Sequence, residues 1–107
     1  MITNTSITTN DLKESLERFW EVSARKIELI NSEYDDSQGS PVFTVKGKYT
    51  TRGWTEWTQG FQYGSEILQF DATGDDQFLK MGKKNTVEKM APHITHFGVH
   101  DLSLIHI

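Results

Sequence analysis

With 107 residues and a formal net charge of −4, the chain has the size of one small domain, and its hydrophobic content is a modest 36%. This balance offers no basic stripe for neutralising phosphates, which argues against a nucleic-acid partner. The absence of cysteine removes disulfide scaffolds, thiolate metal sites and cysteine nucleophiles.

The opening MITNTSITTNDLKESLERFW has neither a basic n-region nor an apolar h-region, so no signal peptide is expected. No apolar run approaches a membrane span. The expectation is a soluble, cytoplasmic protein.

Residues 1 to 9 form a polar lead-in. From Leu12 the apolar residues Leu16, Phe19, Trp20, Ala24, Ile27 and Ile30 recur at steps of three and four, which predicts a helix over 11–33. Asn10 is its expected N-cap, with Asp11 and Glu14 near the positive end of the helix dipole. YDDSQGSP at 34–41 breaks the pattern. VFTVKGKY at 42–49 reads as a short strand or extended segment, and its Lys46-Gly47-Lys48 equally as a turn. A second helix follows, with Trp57, Phe61, Gly64 or Ser65, Leu68 and Ala72 facing inward. Gly74 is its expected C′ residue, and Thr73 or Asp75 the cap of the next helix. That third helix is predicted over 76–90, with Phe78, Leu79, Gly82, Thr86, Val87 and Met90 inward and Pro92 ending it. The last two helices form an αα-hairpin.

Two stretches carry possible chemistry. In RGWTEWTQGFQYG (52–64), flat aromatic faces alternate with Arg52, Glu56 and Gln59, a combination that suits stacking and hydrogen bonding to a sugar ring. Helical spacing makes Trp57 and Phe61 core residues; Trp54, between Gly53 and Thr55, is the better pocket wall. In HITHFGVHD, His93, His96, His100 and Asp101 invite a metal reading. They follow Pro92 and span Gly98, however, so they lack the i, i+4 register of a helical ligand pair. Ordinary loop hydrogen bonding is expected there, with no metal and no cofactor. Asp101 is a candidate catalytic carboxylate.

The ending Leu102-Ser103-Leu104-Ile105-His106-Ile107 is what CTG TCT CTT ATA CAC ATC encodes. That string resembles the transposase mosaic end ligated to fragments in tagmentation libraries. The natural sequence is therefore expected over 1–101, with 102–107 an adapter-encoded artefact and the chain the N-terminal part of something longer.

Trp57-Thr58-Gln59-Gly60-Phe61, Thr73-Gly74-Asp75 and His100-Asp101, in that order and spacing, resemble motifs of the unsaturated glucuronyl hydrolases of glycoside hydrolase family 88 and related six-hairpin glycosidases. The resemblance covers roughly Arg18 to Asp101. It implies an all-α fold in which this chain supplies the N-terminal helical hairpins of an (α/α)6 barrel. It also implies action on a uronic-acid-containing oligosaccharide. In that family a carboxylic acid protonates the vinyl ether of a 4,5-unsaturated uronate and helps deliver water, and the resulting hemiketal collapses. Asp101 matches the first of two essential aspartates. Trp57 matches an aromatic lining the site, and His100 and Trp54 are expected to bind substrate beside it. The second aspartate would lie in the next hairpin, and the glycine and phenylalanine that follow His-Asp in the family are replaced here by the stub. The fragment is thus expected to be inactive by itself. A contrasting reading is a small carbohydrate- or protein-binding helical module built on Trp54 and Trp57.

Overall fold

The computed structural model describes residues 3–51 and 58–94. Among these the chain is broadly all-α, with three helices and one two-stranded sheet: α1 (Lys13–Glu33), β1 (Phe43–Val45), β2 (Lys48–Thr50), α2 (Thr58–Thr73) and α3 (Asp76–Met90). Single 3-10 turns lie at Asp36–Gln38 and Ala91–His93.

α1 is introduced by a reciprocal pair rather than by Asn10. The Thr8 N–H and hydroxyl donate to Asp11 Oδ2 at 2.8 and 2.9 Å, and the Asp11 N–H returns a bond to Thr8 Oγ1 at 3.4 Å. This is the logic of a capping box, with the shorter aspartate as the returning acid. The two Thr8 donors also hold the Asp11 carboxyl below its ordinary range. The regular helix starts after Leu12, which makes no side-chain cap bond.

After α1, Asp35 accepts from the Ser37 N–H and closes the first 3-10 turn. Both readings of VFTVKGKY then hold at once. β1 and β2 pair antiparallel with Phe43 opposite Thr50 and Val45 opposite Lys48. Lys46 and Gly47 both take positive φ, 51° and 77°, as a two-residue primed turn requires. The hairpin is largely exposed and is tied to the helices through Tyr34, whose ring meets Tyr49 edge-on at 6.4 Å.

The α2–α3 hairpin forms as predicted. Gly74, at φ 73°, closes α2 with its N–H on Phe70 O at 2.7 Å, and the Asp75 side chain caps α3 at the Gln77 N–H. α3 covers Asp76–Met90, after which Pro92 sits in the 3-10 turn. The two helices approach closely at Gly82, where an added Cβ would stand 2.7 Å from Ile67 Cγ1 and 3.4 Å from Tyr63 O.

The buried apolar core among the described residues consists of Ile27, Tyr63, Phe78 and Met90. For α2 the expected inward face holds at Gly64 but is corrected at Phe61, Leu68 and Ala72, which are exposed. Its buried residues are Gly60, Tyr63, Gly64, Glu66 and Gln69, while Phe61 and Leu68 remain 46% and 54% exposed. The reason is geometric: α2 packs against α1 on one side and α3 on another, so a wide polar and glycine-rich arc is covered, and Phe61 and Leu68 fall on the more exposed face. In α3, Val87 is likewise exposed rather than inward. In α1 the stripe is placed correctly, but Leu12, Leu16 and Phe19 are exposed where Ile27 is buried. At 21 residues α1 is longer than the 16-residue α2, and its first turns overhang the hairpin. No helix among the described residues is long and apolar enough to cross a membrane.

Candidate functional site at the loop end of the helical hairpin

The start of α2, the end of α3 and the segment after α1 meet at one end of the molecule, opposite the Gly74 turn. His93 Nε2 lies 3.1 Å from Gln59 Oε1, a hydrogen bond in the tautomer that carries the proton on Nε2. Lys89 Nζ reaches Asp36 Oδ2 at 3.0 Å and anchors the 3-10 turn to α3. The Tyr34 hydroxyl donates to Gly39 O at 2.9 Å.

Two tyrosines sit in this acidic neighbourhood. Burial raises the Tyr34 phenol above its ordinary value, Asp36 and Asp35 add to the rise, and a hydrogen bond with Thr51 opposes it. Tyr63, only 1% exposed, is raised further, first by burial and then by Asp36, Glu66 and Tyr34. Both stay neutral donors at any physiological pH.

Deeper along α2 the same face becomes a buried polar row. Glu66 is 2% exposed, and both its oxygens accept from Asn85 Nδ2, at 3.0 and 3.1 Å. Asn85 Nδ2 also approaches Asn31 Oδ1 at 3.4 Å, linking α3 to α1. Burial pushes the Glu66 carboxyl up to about 7, and the Asn85 bond only partly opposes this. Gln69, 1% exposed, donates from Nε2 to Trp20 O at 2.9 Å and joins α2 to α1. At the opposite end, an open groove of about 360 Å3 runs between α1 and the α2–α3 turn, walled by Trp20, Phe78 and Gln69 and rimmed by Glu17, Glu21 and Asp75.

Comparison with protein-family models, with curated proteins and with solved structures finds no match for this chain.

The site residues expected from the sequence, Trp54, Trp57, His100 and Asp101, lie outside the described residues, as do Arg52, Glu56, His96 and the stub at 102–107. What the structure does place is their flanks. Thr58, next to Trp57, opens α2, and His93, a few residues before His100, is held against Gln59. Among the described residues no group of three histidine or acidic side chains is close enough to hold a metal ion. Glu66 and Asn85 were not singled out in the sequence. The available signal was a glutamate at 66 in step with Gln62 and Gln69, against the apolar rhythm of Phe61 and Leu68.

Proposed function

We propose that the chain is the N-terminal part of an (α/α)6 six-hairpin glycosidase acting on uronic-acid-containing oligosaccharides, inactive by itself. In this reading Asp101 is a catalytic carboxylate, and Trp54, Trp57 and His100 line the substrate pocket. The observation that carries it is the His93–Gln59 contact. It ties the outgoing end of α3 to the incoming end of α2, so that the chain enters α2 and leaves α3 at the same end of the hairpin. A Thr73-Gly74-Asp75 turn closing an antiparallel hairpin, and polar residues gathered at the opposite end, accord with a barrel whose site lies at one rim.

The test begins with the DNA. The reading frame is recovered across the Asp101 codon, the complete protein is expressed, and release of uronic acid from unsaturated and saturated uronosides is measured. Activity that falls by roughly 10³-fold or more in Asp101→Asn supports the assignment. A complete protein inert on both substrate classes sinks it. If the frame ends at Ile107 and this chain changes its tryptophan fluorescence on adding oligosaccharide, the small binding module replaces it.

A further inference from the structure

The polar row on α2 has fewer proton donors than acceptors among the described residues. Gln62, Glu66 and Gln69 stand four and three residues apart, which puts them one above another on the same helix face. Two amide oxygens in this row, Gln62 Oε1 and Gln69 Oε1, are buried with no hydrogen-bond partner among the described residues. Between them, the two oxygens of Glu66 share a single nitrogen, Asn85 Nδ2. An ionised carboxylate only accepts, so it can relieve neither neighbour. A protonated one donates, and one such bond satisfies an otherwise orphaned acceptor.

We propose that Glu66 carries its proton in the folded chain and acts as a pH-sensitive latch across the α2–α3 interface. The neutral carboxyl accepts from Asn85 and donates along α2 to Gln62 or Gln69. Ionisation leaves a negative charge with no cation paired to it among the described residues, and loosens the hairpin.

The surroundings of Glu66 bear this out. From its own helix the titratable group facing it is Tyr63, a neutral phenol that an ionised Glu66 would disfavour from ionising in turn. From α3 it meets Asn85, and from α1 Asn31 reaches it through Asn85; both are uncharged. Lys89, one turn beyond Asn85, is engaged with Asp36. Glu28 on α1 accepts from Gln77, nearer the Gly74 turn. The interface cannot swell to admit water cheaply either, because Gly82 already lies against Ile67 and the Glu66 Cβ. Burial raises the carboxyl into the neutral range, so the proton comes off within reach of ordinary buffers.

The experiment uses the whole chain. Carboxyl carbons of uniformly 13C-labelled protein are followed by NMR from pH 5 to pH 9, with Glu66 assigned by its loss in Glu66→Gln. One glutamate is expected to titrate two or more pH units above the rest, and the thermal midpoint is expected to fall across the same interval. In Glu66→Gln that fall should flatten. Should this variant fail to fold, Asn85→Ala serves in its place. It removes the donor that favours the anion, and must move the titration further up. Titration of every glutamate in the ordinary carboxylate range, or a thermal midpoint indifferent to pH between 5 and 9, overturns the proposal.

Discussion

Glu66 sets the sign of the pH dependence at the scale of single residues. Its carboxyl is raised from 4.5 to about 7 on folding, so the folded chain binds a proton that the unfolded chain has released. The resulting stability is fully present below about 4.5, the unfolded value, and is lost as pH rises through 7. The shift corresponds to a loss on the order of 3 kcal/mol, read from urea midpoints at pH 4.5 and pH 8.5. A midpoint that rose over this interval would contradict the burial of the group. Gly82 makes a second residue-scale prediction. Gly82→Ala gains up to about 1 kcal/mol of helix propensity. It also forces a methyl group to 2.7 Å from Ile67 Cγ1, with the Tyr63 carbonyl close behind. Overpacking of this kind costs about 1–3 kcal/mol, and Cγ1 of a β-branched side chain with restricted rotamers has little room to step aside. A net loss of about 1 kcal/mol is therefore expected by chemical denaturation, and a variant more stable than wild type would show that the interface gives.

At the scale of elements, the α2–α3 turn holds the hairpin through two separable devices. Asp75→Ala removes the cap on the Gln77 N–H and should cost about 1 kcal/mol. Gly74→Ala puts a side chain at φ 73° and should cost a similar amount with no lost hydrogen bond. The double variant tests whether the two act together. Simple addition means that they act independently, and a smaller combined loss means that the turn has already opened in one of the single variants. How much of the fold was legible follows the same division. α3 could be read to its boundaries because Asp75 and Pro92 mark them chemically, and the Gly74 turn because the left-handed conformation favours glycine. The capping pair of α1 was missed because Thr8 and Asp11 lie in a lead-in whose polarity reads as featureless. The buried face of α2 was misread for a more basic reason. Apolar periodicity locates the most hydrophobic face, and the covered face of α2 carries Tyr63, Glu66 and Gln69 together with Gly60 and Gly64. Their burial depends on partners in α1 and α3, such as Trp20 and Asn85, that lie far away in sequence. The candidate site was legible only as motifs, and the His93–Gln59 contact needed the hairpin to be closed before it could be seen.

At the scale of the whole molecule, the distribution of apolar surface predicts how the chain behaves alone. Leu12 at the N-cap of α1, Leu16 and Phe19 on α1, and Phe61 and Leu68 on α2 are each at least 43% exposed, while only four apolar side chains are buried among the described residues. Among the described residues α1 is held to the hairpin by few polar links: Gln69 to Trp20 O, Gln77 to Glu28, and a long approach of Asn85 to Asn31. Leaving a few hundred Å2 of apolar surface wet forgoes several kcal/mol at ~25 cal/mol per Å2. That is comparable to the net stability of a whole domain. The isolated chain is accordingly expected to keep the α2–α3 hairpin packed, to bind a hydrophobic dye such as ANS through these exposed stripes, and to self-associate at micromolar concentration. The two exposed stripes make this specific. Leu16→Lys with Phe19→Lys, or Phe61→Lys with Leu68→Lys, should reduce dye binding and association in the isolated chain. In a complete protein whose later hairpins cover those faces, the same substitutions should destabilise by more than about 2 kcal/mol per pair. A sharp, reversible melt from a monomer of this chain, with no dye binding, would mean that the exposed stripes need no cover. The barrel reading would then lose its energetic support.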